Sequence, residues 1–472
     1  MADPQFPYPF YPVQLTKDGV IFQPSEVDAL ISGLTPDQNP PTDLLFMSHG
    51  WNNNLDDAKS LYSGLLTELH DIAANMPELS QRSFAVCGIF WPSKKFEDSD
   101  LIPSGAAALN DAVTDMKLHE RVSDLKSLLE ADGWPAQQQD PVAQQKLSQV
   151  ERAIDEWEDD PELRKTVVQT IRELLPGNAA DAEDASDKFL SLKPDGLLNN
   201  LSRSLNPPPN ASGANAAALD PFAVSSGGSS GGAASFRDVM GGLKAGFLHL
   251  LNFTTYYVMK ARAGDAGVKG AAPLLQRIWN ICPDLRIHLI GHSFGCRLVT
   301  SAVNALPAND DFRPVTMTLL QGAFSHNGFA SKFDGNNDGA FRQVIAQKRV
   351  QGPILITHTR NDKAVGLAYP IASRIAGQVA AAIGDENDIY GGLGSNGAQT
   401  AETTRERVVG TLLPVVGQYP FVSGSTPSTP YNLRADQFIS GHSDIVNPQV
   451  AFAIATAIAS MGAQRSTAAQ SR

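Results

Sequence analysis

Short apolar runs of strand length alternate along this chain with longer stretches of helical spacing, and this alternation narrows the possible folds most. "DLLFMSHG", residues 43–50, is an apolar run that ends on glycine. The stretch after it, from Leu55 to about Ile72, carries Leu61, Leu65, Leu69 and Ile72 at helical spacing. "SFAVCGIFWPS" (83–93), "RIHLIG" (286–291), "MTLLQGA" from Met317, "GPILITH" from Gly352 and "YNLRADQFIS" from Tyr431 continue the series of strand candidates. A strand covered on both faces reads as a continuous apolar run, and parallel neighbours need a crossover, usually a helix, between them. The pattern predicts an α/β fold, a mostly parallel central sheet with helices on both faces. Upstream, "PVQLTKDGVIF" (12–22) reads as a hairpin, with Asp18-Gly19 supplying the positive φ angles of a tight turn.

The alternation breaks between about residue 136 and 235. Leu147, Val150, Ile154 and Trp157 share one helical face. Asp160-Pro161 then restarts a helix as N-cap and first residue, with Leu163, Val167, Ile171 and Leu174 inward. This predicts a helical pair. Residues 206–235, rich in Gly, Ser, Ala and Pro, are too poor in large apolar side chains to offset the entropy of ordering and read as a flexible linker. From Phe236 to Met259 the chain is apolar on more than one helical face, as expected of a buried helix or of the lining of an acyl-binding pocket. The expected division is a core of 1–135 and 236–462, a helical cap insertion at 136–235, and a disordered tail at 463–472.

With 472 residues, 42% of them hydrophobic, the chain can bury a large core. Its formal net charge of -13 and its lack of a Lys/Arg cluster argue against a nucleic-acid groove. "MADPQFPYPFYPV" has no basic region followed by an apolar one, and "NPQVAFAIATAIASMG" (447–462) falls short of the roughly 20 apolar residues that span a bilayer. Cys87, Cys282 and Cys296 cannot all pair and lack metal-ligand spacing. A chain without an integral membrane segment, in a reducing, cytoplasmic setting, is the expectation. "FDGNNDGAF" (333–341) fits the first half of a calcium loop through Asp334, Asn336, Asp338 and Gly339. Ile345 stands where the bidentate Glu belongs, so no metal is expected there.

"GHSFG" (291–295) places Ser293 between two glycines, after an apolar strand and before the helical run Leu298, Val299, Ala302, Leu306. This is the context of a nucleophile elbow, in which Gly291 and Gly295 relieve crowding between strand and helix. A serine hydroxyl needs an imidazole to take its proton and a carboxylate to orient that imidazole. Asp362 falls just past "GPILITH", and His442 just past the run from Tyr431. His358 lies inside an apolar run, His326 comes too early in the chain, and His292, inside the elbow itself, reads as structural. Asp444 is too near His442 in sequence to orient it from the opposite side. Backbone amides of Phe294, after the nucleophile, and of Trp51, in the early loop "SHGWNNN", are the candidate oxyanion donors. Gly50 would let that backbone approach, and His49 could hydrogen-bond within the loop.

Through His49-Gly50-Trp51-Asn52, Trp91-Pro92-Ser93 and Gly291 to Gly295, the sequence resembles the α/β-hydrolase superfamily, and within it bacterial esterase/lipase-like hydrolases. The resemblance covers roughly 44–135 and 236–460 and implies a carboxylic-ester hydrolase with Ser293, Asp362 and His442 as its triad; acyl transfer through such a triad is expected to need no cofactor. Its partner would be a small-molecule or lipid ester. Amide or peptide cleavage on the same fold, and a non-catalytic scaffold that binds through the insertion, are the alternatives.

Overall fold

The computed structural model describes residues 5–51, 53–93, 111–130, 141–175, 181–202, 242–307, 312–362, 365, 372, 375–376, 389–399, 406–423 and 427–462. Asn52, the expected linker at 206–235 and the expected disordered tail from 463 lie outside the described residues.

Among the described residues the strands are β1 (Phe10–Gln14), β2 (Asp43–Ser48), β3 (Phe84–Phe90), β4 (Arg286–His292), β5 (Thr316–Leu320), β6 (Ile354–His358), β7 (Val408–Thr411) and β8 (Pro430–Arg434). They form one sheet in the order β1-β3-β2-β4-β5-β6-β8-β7, and every neighbouring pair is parallel. Successive side chains of a strand point to opposite faces, and β2 shows this directly. Leu44 and Phe46 join one core; Leu45 and Met47 join the other. On the first face pack α1 (Pro24–Leu34) and the later helices 243–265, 272–281 and 294–305; on the second pack α2 (Leu55–Ala74) and the helix at 448–460. The chain is an α/β protein with a fully parallel sheet covered on both faces.

In chain order the α-helices after α2 among the described residues, those just placed included, are α3 (Asp111–Glu130), α4 (Pro141–Arg152), α5 (Pro161–Glu173), α6 (Ser186–Ser191), α7 (Pro194–Leu201), α8 (Leu243–Asp265), α9 (Ala272–Ile281), α10 (Phe294–Ala305), α11 (Arg342–Ala346), α12 (Leu393–Asn396) and α13 (Pro448–Ser460). The hairpin expected at 12–22 forms only in part. Gly19 has φ 83°, Thr16 N donates to Val20 O at 2.8 Å, and Leu15 and Ile21 make an isolated antiparallel bridge. The first arm, however, belongs to β1, whose ladder is with β3, so the return arm ends after one bridge.

The expected helical pair also proves to be part of a larger group. Asp160 caps α5, its Oδ1 accepting from Glu162 N at 2.9 Å and Leu163 N at 3.0 Å, but α6 and α7 follow. These helices share a core with α8, which is buried around its circumference. The Trp157 ring stacks on Phe247 at 3.9 Å, its Nε1 donates to Leu243 O at 2.8 Å, and Phe189 lies 4.8 Å from Phe253. Phe253 and Tyr256 continue the contact to Phe294 in α10.

A buried polar cluster fastens residues 181–186 to α8. Lys260 Nζ lies 2.6 Å from both Asp181 Oδ2 and Asp184 Oδ2. Burial alone would raise the Asp181 pKa, but the charges of Lys260 and Arg297 and the Lys260 hydrogen bond hold it below the ordinary carboxylate value. Glu183 Oε1 accepts from Ala340 N at 2.9 Å. Among the described residues no helix is long and apolar enough to cross a membrane.

Candidate active site

The order of the strands creates a crevice. After β2 the chain enters α2 on one face of the sheet, whereas after β4 it enters α10 on the other, so the loops at the carboxyl ends of these adjacent strands diverge. Their register pairs Ser48 with Gly291, which brings Gly50, two residues on, opposite Ser293. A Cβ on Gly50 would stand 2.4 Å from Ser293 Cβ and 3.0 Å from its Oγ, so only glycine lets the loop backbone lie against the hydroxyl.

Ser293 turns from β4 into α10 with φ 56° and ψ -123°, a conformation that side chains other than glycine rarely adopt. The flanking glycines answer to the crowding here: a Cβ at Gly291 would meet Cys296 N at 2.6 Å, and one at Gly295 would meet Ser48 O at 2.2 Å. Phe294 begins α10, and no earlier turn of the helix offers its N–H an acceptor. Its ring meets that of Trp51 at 6.0 Å.

Asp362 and His442 come from the loops after β6 and β8. His442 Nε2 lies 2.8 Å from Ser293 Oγ, and its Nδ1 lies 2.9 Å from Asp362 Oδ2. Since a carboxylate only accepts, Nδ1 carries the proton and Nε2 accepts from the serine hydroxyl. Asp362 Oδ1 also accepts from Val365 N at 3.0 Å, and Oδ2 from Gln321 Nε2 at 3.2 Å. The Asp362 side chain is fully buried, while that of His442 is 19% exposed, so the imidazole is the solvent-facing member of the line.

Other polar groups hold this arrangement. His49 is fully buried; its Nδ1 donates to Gly50 O at 2.9 Å and its Nε2 accepts from Trp91 N at 3.3 Å. Trp91 Nε1 donates to His49 O at 3.0 Å, and Ser93 Oγ lies 3.3 Å from His49 Nδ1. The two stretches of the resemblance, at 49–52 and 91–93, thus meet in space through their described residues. Burial pushes the His49 pKa down to about 4, so it stays neutral near pH 7.

Sequence reasoning assigned His292 a structural role only. Its Nε2 donates to the His442 carbonyl at 3.0 Å, with the two rings 5.1 Å apart. Burial, followed by the charge of His442, pushes the His292 pKa down to about 3. Gln321 was missed altogether. Its only signal in sequence is that a polar residue directly follows the apolar run of β5, as Ser293 follows β4 after His292.

The competing residues are engaged elsewhere. Asp444 Oδ2 accepts from Ser440 N at 2.8 Å and Ser440 Oγ at 2.7 Å, closing its own turn. His358 ends β6, and His326 Nδ1 sits 3.2 Å from Asn396 Nδ2. Cys296 donates to Gly291 O at 3.1 Å, and burial raises its thiol pKa well above the ordinary value. In the loop read against a calcium pattern, Asp334 Oδ1 accepts from Asn336 N at 2.9 Å and Asn337 N at 2.7 Å, and Ile345 lies in α11. Among the described residues no group of three or more His, Cys, Asp or Glu is arranged to hold a metal ion.

Comparison of the chain with protein-family models, with curated proteins and with solved structures returned no match in any of the three.

Proposed function

We propose that the protein is a serine hydrolase of carboxylic esters, built on an α/β-hydrolase fold. The observation that carries this reading is the continuous hydrogen-bonded line from Ser293 Oγ through His442 to the buried Asp362 carboxylate. Ser293 attacks the acyl carbonyl while His442 Nε2 takes its proton, and Asp362 stabilises the imidazolium that forms. The Trp51 and Phe294 amides face the developing oxyanion. His442 then returns the proton to the leaving alcohol, and water, deprotonated by the same imidazole, releases the acid from the acyl-enzyme. Side chains and backbone amides carry every proton and charge in this scheme.

Helices α4 to α7 act, in this reading, as a cap. Their support is the aromatic series Phe189, Phe253, Tyr256, Phe294, Trp51, which leads from α6 to the loop beside Ser293.

The test is reaction with a fluorophosphonate, with the labelled peptide identified by mass spectrometry, alongside hydrolysis of p-nitrophenyl esters and anilides. Labelling at Ser293 and turnover of esters but not anilides is expected. Ser293→Ala should lower turnover on the order of 10⁴-fold or more with the fold intact. Esterase activity surviving in the folded Ala variant would refute the assignment, and turnover of anilides would move it to amide cleavage.

A further inference from the structure

We propose that Gln321 is a positioning residue for the carboxylate of Asp362, and that the strand end bearing it ties the acid to the backbone of the nucleophile; this rests on the hydrolase reading. Gln321 follows β5 immediately, is fully buried, and has φ 49°, the left-handed region that disfavours a side chain. Its backbone N–H donates to Thr357 Oγ1 at 3.2 Å. Its Nε2 donates to Asp362 Oδ2 and to Gly394 O, each at 3.2 Å, while its buried Oε1 has no hydrogen-bond partner among the described residues.

The residues on either side of Gln321 hold Ser293. Leu320 O accepts from Ser293 N at 3.0 Å, and Ala323 N donates to Ser293 O at 3.1 Å. Residues 320–323 therefore grip the nucleophile's backbone while the amide of Gln321 reaches the acid.

A left-handed backbone and an orphaned amide oxygen both cost free energy. Methionine would fill similar space with no polar atom to desolvate, so packing alone does not account for a glutamine here. What the amide supplies is an N–H aimed at Oδ2, the same oxygen that meets His442 Nδ1. With Val365 N on Oδ1, the donor on Oδ2 fixes the rotation of the carboxylate against the imidazole.

Gln321→Met and Gln321→Glu test this in the full chain, with p-nitrophenyl butyrate as substrate and active sites counted by fluorophosphonate. Gln321→Met removes the donor and is expected to lower kcat about 10- to 100-fold, the worth of a hydrogen bond to a charged group, with KM within about twofold. Gln321→Glu is near-isosteric; buried beside a second carboxylate it stays protonated at mildly acidic pH, where its O–H replaces the lost donor. Its kcat relative to wild type should be near one at about pH 6 and fall about tenfold or more by pH 9 as it ionises against Asp362.

A structural role alone would not produce that pH-dependent rescue. The proton NMR signal of His442 Nδ1–H provides a readout apart from turnover and should move in Gln321→Met. An unchanged signal, a Met variant with kcat within about twofold of wild type, or a flat pH ratio for the Glu variant would each overturn the proposal. A wild-type chain that neither labels nor turns over would refute the hydrolase reading instead, and the NMR signal would still decide whether Gln321 positions Asp362.

Discussion

Replacing Glu183 by Gln isolates the cost of a buried acid in the clasp between residues 181–186 and α8. Glu183 is 4% exposed, and burial, then the charge of Asp181, raises its pKa from 4.5 to about 8. The hydrogen bond from Ala340 N and the charge of Lys260 only partly oppose this. In the unfolded chain the same carboxyl titrates near its ordinary value. Between about pH 4.5 and 8 the folded protein thus holds a proton that the unfolded chain has released, and stability falls as pH rises through this window. Below it the contribution is complete; above it the slope vanishes, because both states are ionised. At 1.36 kcal/mol for each pH unit, the penalty at pH 8.5 is at most a few kcal/mol, since a buried group relaxes and admits water.

Glutamine keeps an oxygen for Ala340 N and cannot ionise, so Glu183→Gln should remove the pH-dependent part alone. Thermal unfolding of the two proteins at pH 4.5 and 8.5 is the assay. Melting temperatures should agree within about a degree at the lower pH, and at the higher pH the variant should melt about 2–5 °C above wild type. A difference that stays constant with pH, or a variant less stable at pH 8.5, would refute the assignment of a neutral Glu183.

Three further outcomes are expected. Asp362→Asn should lower ester turnover about 10⁴-fold, whereas Asp444→Asn should leave it within about threefold of wild type; the reverse pattern would move the acid to Asp444. At the opposite end of the sheet, burial alone would raise the Asp43 pKa, but His288, by hydrogen bond and charge, then Thr42 and Arg286, hold it below the ordinary value. Its stabilisation is therefore complete above the ordinary carboxylate pKa and lost as pH falls through the lower folded value. Asp43→Asn should cost about 3–5 kcal/mol by stranding Arg82, Arg286 and His288, with kcat of the folded fraction unchanged; an unaltered melting temperature would contradict this. Phe189→Ala, at the cap end of the aromatic series, should change the preference between short and long acyl p-nitrophenyl esters, and an unchanged chain-length profile would remove the support for a cap.

Strands β2, β3, β4, β5 and β6 were legible in sequence because each is buried on both faces and so reads as an unbroken apolar run. The edge strand β7 was not, since it alternates between partly buried and exposed positions and is only four residues long. The chain order of Ser293, Asp362 and His442 could also be read, because each follows an apolar run directly or by a short loop. Helices α6 and α7 were hidden: they are short, and their apolar residues have meaning only against α8. The same holds for Lys260, which in sequence is one of three cations in a largely apolar helix and in space is the partner of Asp181 and Asp184.

Local sequence determines which segments bury apolar surface, where helices are capped, and which residues stand at strand ends, because those are properties of near neighbours. Tertiary structure alone decided that Ser48 lies beside Gly291, so that Gly50 meets Ser293, and that Leu320 lies beside Thr357, so that Gln321 reaches Asp362 in the loop after β6. These are matters of register between strands far apart in the chain, set by the packing of both sheet faces at once.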